Sequence, residues 1–265
     1  MEFGDALIDI HTHILPGLDD GCKDLDDSLR MCELYVADDV RTVVATPHMF
    51  HPRYDVTAEA VHRAVGELRE ACAKRGLLLE ILPGAEVRLM PELEQSIGSG
   101  MALTLAGAGR HLLLELPSVL LPQVEELAFR LRLKGIVAVL SHPERHGGFI
   151  RHPERLRKLV DMGCLVQITT HSLIGGFGRA VLEAAYNLLR AGMVHAVASD
   201  AHSSRAGGRR PKMRRAFDRV ADRMGEPTAR RLFGTNPARI ARGESVPEAD
   251  EPAVRKDAGI PAEPR

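Results

Sequence analysis

The sequence predicts an α/β protein folded as a distorted (β/α)7 barrel of the TIM type, and two patterns carry that prediction. Seven short runs rich in Val, Ile and Leu occur at residues 6–10, 42–46, 77–82, 112–116, 136–140, 165–169 and 194–199. Each is nearly continuous in apolar side chains, as strands buried on both faces should be. Amphipathic stretches at 24–38, 57–75, 91–98, 123–134, 153–162, 179–191 and 211–223 follow them in turn. Strand then helix, repeated, implies a parallel sheet with right-handed crossovers. An open doubly wound sheet is the structural alternative. A closed barrel is the natural solution, and seven units in place of eight imply a distorted one.

Each run ends on residues with chemistry. The first leads into Asp9-Ile10-His11-Thr12-His13, with Asp19-Asp20-Gly21 shortly beyond. The second reaches Thr46-Pro47-His48 and then His51, and the third Gly84-Ala85-Glu86-Val87-Arg88. The fourth carries Glu115 in an otherwise apolar run. The fifth gives Ser141-His142-Pro143-Glu144-Arg145-His146, the sixth Thr170-His171, and the seventh Ser199-Asp200-Ala201-His202-Ser203. Of 12 histidines, all but His62, His111, His152 and His195 fall just past the C-terminal end of a predicted strand. In a β/α barrel those ends share one face, where active sites are built.

Beyond the last unit, residues 228–232 read as a short helix, ended by a turn at Gly234-Thr235-Asn236-Pro237 that would cap the barrel. One domain is therefore expected over 1–243. Residues 244–265 are rich in Pro, Ala, Glu and Asp, have little to bury, and are expected to form a disordered tail.

Composition excludes several function classes. Lys and Arg number 35 against 36 Asp and Glu, a formal charge of −1, so no global basic field exists to hold nucleic acid. Aromatic residues make up 4% with no Trp, which argues against a surface for stacking bases. Apolar runs fall far short of the roughly 20 residues of a membrane span, and no signal-peptide pattern opens the chain. The expected location is the cytoplasm, without membrane insertion. Cys22, Cys32, Cys72 and Cys164 form no CxxC pair, and none has an Arg six positions on, so the C-x5-R loop of cysteine-dependent phosphatases is absent. They are expected to be free and buried.

The clustered residues suit metal binding. His11 and His13, two apart, point the same way if the chain stays extended, and Asp200 and His202 repeat that spacing. Glu86 and Glu115 can supply carboxylates, one of which can bridge two ions. Glu115 needs a cation, because an unpaired buried carboxylate costs several kcal/mol and its strand offers no Lys or Arg. With Asp20, His48 and His142 the candidates number nine, of mixed nitrogen and oxygen type and without thiolate. That is too many for one ion and suggests two or three of the Mn²⁺, Fe²⁺ or Zn²⁺ kind. His51 and His146 read as residues at the site's edge, His171 as either a neighbour of the site or a solvated loop residue, and His195 as a core histidine bonded to backbone. Arg145 could pair with Glu144 or another carboxylate, and its place beside His142 also suits an anion. The Gly-rich cationic stretch Ser203–Pro211, running from the metal face towards a helix start, suits a phosphate.

In their order and spacing, His11-Thr12-His13, Thr46-Pro47-His48, Gly84-Ala85-Glu86, Glu115, Ser141-His142-Pro143-Glu144-Arg145 and Ser199-Asp200-Ala201-His202 resemble the PHP (polymerase and histidinol phosphatase) superfamily of metal-dependent phosphoesterases. The opening Asp9–Gly21, Ala45-Thr46-Pro47-His48, the stretch from Gly163 and Val197–His202 resemble one branch of it. That branch is the manganese-dependent protein-tyrosine phosphatases of bacterial capsule and exopolysaccharide operons. The resemblance spans roughly residues 6–240. It implies the PHP form of the distorted barrel and three metal sites: His11, His13, Glu86 and Asp200; a second with Glu86 as bridge to Glu115 and His142; a third of Asp20, His48 and His202. Arg145 and Arg209 would bind phosphate, with Arg210 a rival for the second role. Relatives often carry a second His after Thr-Pro-His, where this chain has Met49.

The implied reaction is one-step hydrolysis by a metal-bridged hydroxide, with Mn²⁺ the expected ion and Fe²⁺, Co²⁺ or Zn²⁺ tolerated by the same ligands. No cysteinyl-phosphate is expected. The implied substrate is a phosphotyrosine segment of a tyrosine autokinase. Rival readings are a histidinol-phosphatase-like enzyme acting on a metabolite, and a non-catalytic, metal-stabilised binding module.

Overall fold

The computed structural model describes residues 6–90, 93–117 and 124–247. Its strand segments are β1 (Leu7–Thr12), β2 (Val40–Ala45), β3 (His48–Met49), β4 (Glu80–Pro83), β5 (Glu86–Arg88), β6 (His111–Glu115), β7 (Val137–Ser141), β8 (Leu165–Thr169) and β9 (Ala196–Ala198). The helices are α1 (Leu25–Ala37), α2 (Ala58–Lys74), α3 (Leu93–Gly98), α4 (Val124–Leu133), α5 (Gly147–Arg151), α6 (Pro153–Asp161), α7 (Thr170–Leu173), α8 (Arg179–Arg190), α9 (Met213–Met224), α10 (Glu226–Arg230) and α11 (Asn236–Ala241).

Every strand pairing is parallel. The segments run β1-β2-β4 in one sheet and β3-β5-β6-β7-β8-β9 in the other. Two residues separate β2 from β3, and two separate β4 from β5. Pro47 and Pro83 supply no amide hydrogen, so the ladder lapses there and the same two strands resume one step on. Counted so, the strands among the described residues are seven, as the apolar runs predict. The ring closes between β1 and β9. A parallel bridge joins Thr12 to Ala201, flanked by His13 N to Ala201 O and Asp200 N to His11 O, each 2.9 Å. This closure excludes the open doubly wound alternative.

The barrel interior is filled by Ile8, Ile10, Val44, Leu113, Val139, Leu165, Ala196 and Ala198, and is plugged by Ala238, Ile240 and Ala241 of α11. A second, larger core lies between the barrel wall and the surrounding helices and includes Leu29, Met31, Tyr35, Leu68, Leu131, Leu156, Tyr186 and Phe217.

Three expectations change. The run at 77–82 is strand only from Glu80; Gly76 turns at φ 68° and Leu78 is 81% exposed, so its first half is a connector leaving α2. Short helices α5 and α7, absent from the alternation, sit just past β7 and β8. The turn expected at 234–237 is helical instead. A π-helical turn at Arg231–Thr235 carries α10 into α11, where Pro237 occupies the first turn that tolerates it. Asn236 Nδ2 donates to His195 O at 2.8 Å and ties this turn to the chain entering β9. Most of the expected tail, residues 248–265, lies outside the described residues.

Candidate metal centre

The C-terminal strand ends converge. β1 brings His11 and His13; the register partners His48 and Glu86 come from β3 and β5; Glu115 ends β6. His142 and Asp200 follow β7 and β9 with left-handed backbones, φ 36° and 52°. Non-glycine residues take that conformation uncommonly, and here it turns both groups off the strand line into the barrel mouth.

Glu86 is the hub. It is fully buried, and its carboxylate lies 3.4 Å from His11 Nε2, 3.6 Å from His13 Nε2, 3.1 Å from His48 Nδ1 and 3.1 Å from His142 Nε2. Asp200 Oδ1 faces the same pair at 3.4 Å (His11) and 3.5 Å (His13). Its other oxygen accepts from Arg145 at 2.5 Å and Arg209 at 2.8 Å. Asp20 Oδ1 stands 3.6 Å from His48 Nε2 and 3.5 Å from His202 Nε2.

Among the described residues four groups could each hold an ion, their ligand atoms lying within 4.8 Å of one another: His11, His13 and Asp200; His11, Glu86 and His142; His48, Glu86 and Glu115; and His13, Asp20, His48 and His202. All nine expected ligands fall in them. The grouping differs in detail from the resemblance. Glu115 shares its gap with His48 as well as Glu86, 3.7 Å from His48 Nδ1, and His13 joins the Asp20 group.

The donor set fits divalent cations. His48 Nδ1, Glu86 Oε2, Glu115 Oε2 and His202 Nε2 are buried and have no hydrogen-bond partner; the first three lie within ion-pair reach of one another about His48 Nδ1, and His202 Nε2 faces Asp20. Orphaned buried acceptors cost free energy unless a cation takes up their lone pairs. Mixed imidazole and carboxylate donors without thiolate suit Mn²⁺, Fe²⁺, Co²⁺ or Zn²⁺.

The imidazoles are fixed from behind. His11 Nδ1 meets Gln167 Oε1 at 2.9 Å, His13 Nδ1 meets Asp19 Oδ2 at 2.6 Å, and His202 Nδ1 meets Asp200 O at 2.9 Å. Each partner is an acceptor, so each Nδ1 carries a hydrogen and each Nε2 is the nitrogen turned to the cluster. Gln167 and Asp19 were not selected from sequence. Gln167 sits in an apolar run with no motif, whereas Asp19 adjoins Asp20, and that doubled acid was the available signal.

Charge follows from the packing. Burial alone would raise the Glu86 carboxyl, but the surrounding imidazoles, His11 first, hold it well below the usual range. Asp200 is likewise held low against its burial, by His11, His13 and Arg209. Burial opposes protonation of His13, yet the Asp19 carboxylate raises it to about 10. His202 is pushed down to about 4 by burial and by His13 beside it. Glu115 is raised by burial and by Glu86.

Other expected residues take definite places. Arg145 pairs with Asp200 and not with Glu144. Glu144 is buried and accepts from Thr169 N, Thr169 Oγ1 and Ser172 Oγ at 2.9, 3.1 and 2.6 Å, bracing the end of β8. Arg209 faces the site, while Arg210 Nε donates to Ser204 O (2.9 Å) and Arg205 O (3.0 Å) within the loop. His51 lies beside His48, ring centroids 5.3 Å apart, but in none of the four groups. Met49 is fully buried in the core and points away from it. His146 bonds Pro117 O at the rim, and His171 is buried against Phe177. His195 accepts from Val166 N as a core histidine. All four cysteines are free and buried.

Residues 7–242 match the family described as capsular polysaccharide synthesis, CpsB/CapC. The chain is 38% identical over 198 residues to the tyrosine-protein phosphatase YwqE of Bacillus subtilis, covering 74% of this chain and 78% of YwqE. It is 29% identical to the tyrosine-protein phosphatase CpsB of Streptococcus pneumoniae, covering 91% of this chain and all of CpsB. A solved structure from a study of YwqE and CpsB, there called unique metal-dependent tyrosine phosphatases, superposes with a TM-score of 0.88 at 33% identity, over 94% of this chain and 100% of that one. The phosphotriesterase homology protein of Escherichia coli shares the fold at 12% identity, with a TM-score of 0.59 over 89% of this chain and 98% of its own.

Proposed function

The chain belongs to the CpsB/CapC family of capsular polysaccharide synthesis, and from that premise we propose that it is a metal-dependent protein-tyrosine phosphatase acting through the cluster around Glu86. It is a phosphoric monoester hydrolase with a metal cofactor, and its substrates are phosphoproteins. The observation that carries the reading is Glu86, one buried carboxylate shared by four imidazoles from three different strand ends.

In this reading His11, His13, Glu86 and Asp200 hold one ion, Glu86 reaches a second with Glu115 and His142, and Asp20, His48 and His202 hold a third. Mn²⁺ is the proposed ion. Bound divalent ions supply Lewis acidity and water activated near neutral pH. The chain's own residues do the rest. Gln167 and Asp19 hold the rings of His11 and His13 in the ligating tautomer. Arg145 and Arg209, both anchored on Asp200 Oδ2, turn guanidinium groups to the site's rim and bind the phosphoryl oxygens as charge redistributes. A tyrosine leaves as a phenolate of pKa about 10, so strong acid assistance is less needed than for an alkyl phosphate. No thiol serves as nucleophile, since burial pushes Cys22 and Cys164 to about 12 and all four cysteines are enclosed.

The proposed physiological substrate is a phosphotyrosine segment of a tyrosine autokinase, met in the cytoplasm; among the described residues no helix is long and apolar enough to cross a membrane. The test is hydrolysis of a phosphotyrosine peptide beside histidinol phosphate and a phosphoserine peptide, after chelation and return of Mn²⁺. Fast, Mn²⁺-restored release from phosphotyrosine alone is expected. Preference for histidinol phosphate would overturn the substrate, and no turnover with any ion would favour a binding module.

A further inference from the structure

At the other end of the barrel, the entering ends of β6, β7, β8 and β9 surround a cavity of about 700 Å³. That is the size of a small-molecule site, and the metal centre does not use it, since Glu115, His142 and Asp200 lie past the opposite ends of these strands.

Its wall is basic. Arg110, Arg132 and Arg157 line it against one acid, Asp161. None of the three arginines forms an ion pair among the described residues; their polar contacts are to neutral oxygens. Arg132 Nη1 donates to Met162 O at the end of α6, and Arg157 Nη2 to Ala191 O at the end of α8. Arg110 Nη2 donates to Ser245 Oγ at 3.0 Å, while its Nε is buried without a partner. A single hydrogen bond of this kind leaves most of a guanidinium's N–H donors to point elsewhere. Gly163 makes room for one of them. Its φ is 91°, and a Cβ there would stand 1.8 Å from Arg132 Nη1. His111 and His195, also on the wall, are pushed by burial to about 4 and so stay neutral at pH 7.

We propose that this cavity binds a compact small molecule carrying two phosphate groups. Three planar cationic forks opposed by one carboxylate favour doubly charged, trigonal oxygen arrays over single carboxylates, and the volume admits a phosphorylated sugar.

The test uses the full chain carrying Arg145→Ala and Arg209→Ala, so that the metal face does not turn over the probe. Calorimetric titration with glucose 1,6-bisphosphate is expected to show one site. Arg110→Gln, which disturbs only a contact to Ser245, is expected to weaken it at least tenfold, and Arg157→Lys, keeping charge but not the fork, by a smaller factor. Unchanged melting temperature in Arg110→Gln would establish that the loss is local. No binding to the parent chain, or equal binding with Arg110→Gln, would overturn the proposal.

Discussion

Asp19 accepts the Nδ1 hydrogen of His13 at 2.6 Å, and so decides which nitrogen of that ring faces the metal cluster. The same carboxylate accepts from the amides of Gly21 and His48 at 2.9 Å, joining the loop after β1 to the start of β3. Partners that orient a ligating histidine typically carry 10–100-fold in metal affinity. Asp19→Ala is expected to weaken ion binding within that range and to leave the fold of the barrel intact. Metal titration of chelated protein by calorimetry, beside circular dichroism, measures both. Wild-type affinity in the variant would remove Asp19 from the site.

Glu86 carries more. Four imidazoles surround it, and burial makes each of them depend on its charge. Glu86→Gln keeps the volume and removes the charge, so metal content measured after dialysis is expected to fall to a small fraction of wild type, and turnover with it. A variant that retained more than half of wild-type turnover would sink the scheme in which this residue bridges two ions.

Much of this was legible in the sequence because barrel geometry puts every strand's C-terminal end on one face. Eight histidines segregating to those ends was a pattern that chance placement does not give. The closed barrel was legible, but not the contact that closes it, the bond from Asp200 N to His11 O across 189 residues. Nor were the lapses at Pro47 and Pro83, which divide two strands without ending them. The supporting residues were hidden for a different reason. Gln167 looks like one polar residue in an apolar strand, and its role appears only when His11 stands opposite it in three dimensions. Glu144 lies inside a ligand motif and yet braces Thr169 and Ser172, because the turn after His142 points consecutive side chains in different directions.

The core histidine His195 makes a signed prediction about pH. Burial lowers it from 6.5 to about 4, and its Nδ1 must stay unprotonated to accept from Val166 N. Above pH 6.5 the folded and unfolded chains both hold the ring neutral, so stability does not depend on it. As pH falls from 6.5 towards 4, the unfolded chain takes up a proton that the fold refuses, and stability falls by roughly 1.4 kcal/mol per unit at most. His195→Gln removes this term. The difference in unfolding free energy between wild type and variant is expected to shrink with falling pH across that window and to level off below 4. A difference that stays constant would show the ring titrating normally in the fold.

Arg209 and Arg210 are neighbours in sequence with opposite settings. Arg209 Nη1 donates to Asp200 Oδ2 at 2.8 Å, the oxygen that also accepts from Arg145, whereas Arg210 turns its Nε to the carbonyls of Ser204 and Arg205. The backbone explains the difference, since His202 N and Ser203 N both bond Arg209 O and fold the loop so that this residue meets the strand end. Arg209→Ala is therefore expected to raise KM for a phosphotyrosine peptide about tenfold or more, the scale of one lost charge-assisted contact, with metal content unchanged. Arg210→Ala is expected to leave KM within about twofold and to lower the melting temperature slightly by freeing the loop. The reverse pattern would move phosphate binding to Arg210 and require the loop to rearrange when substrate enters.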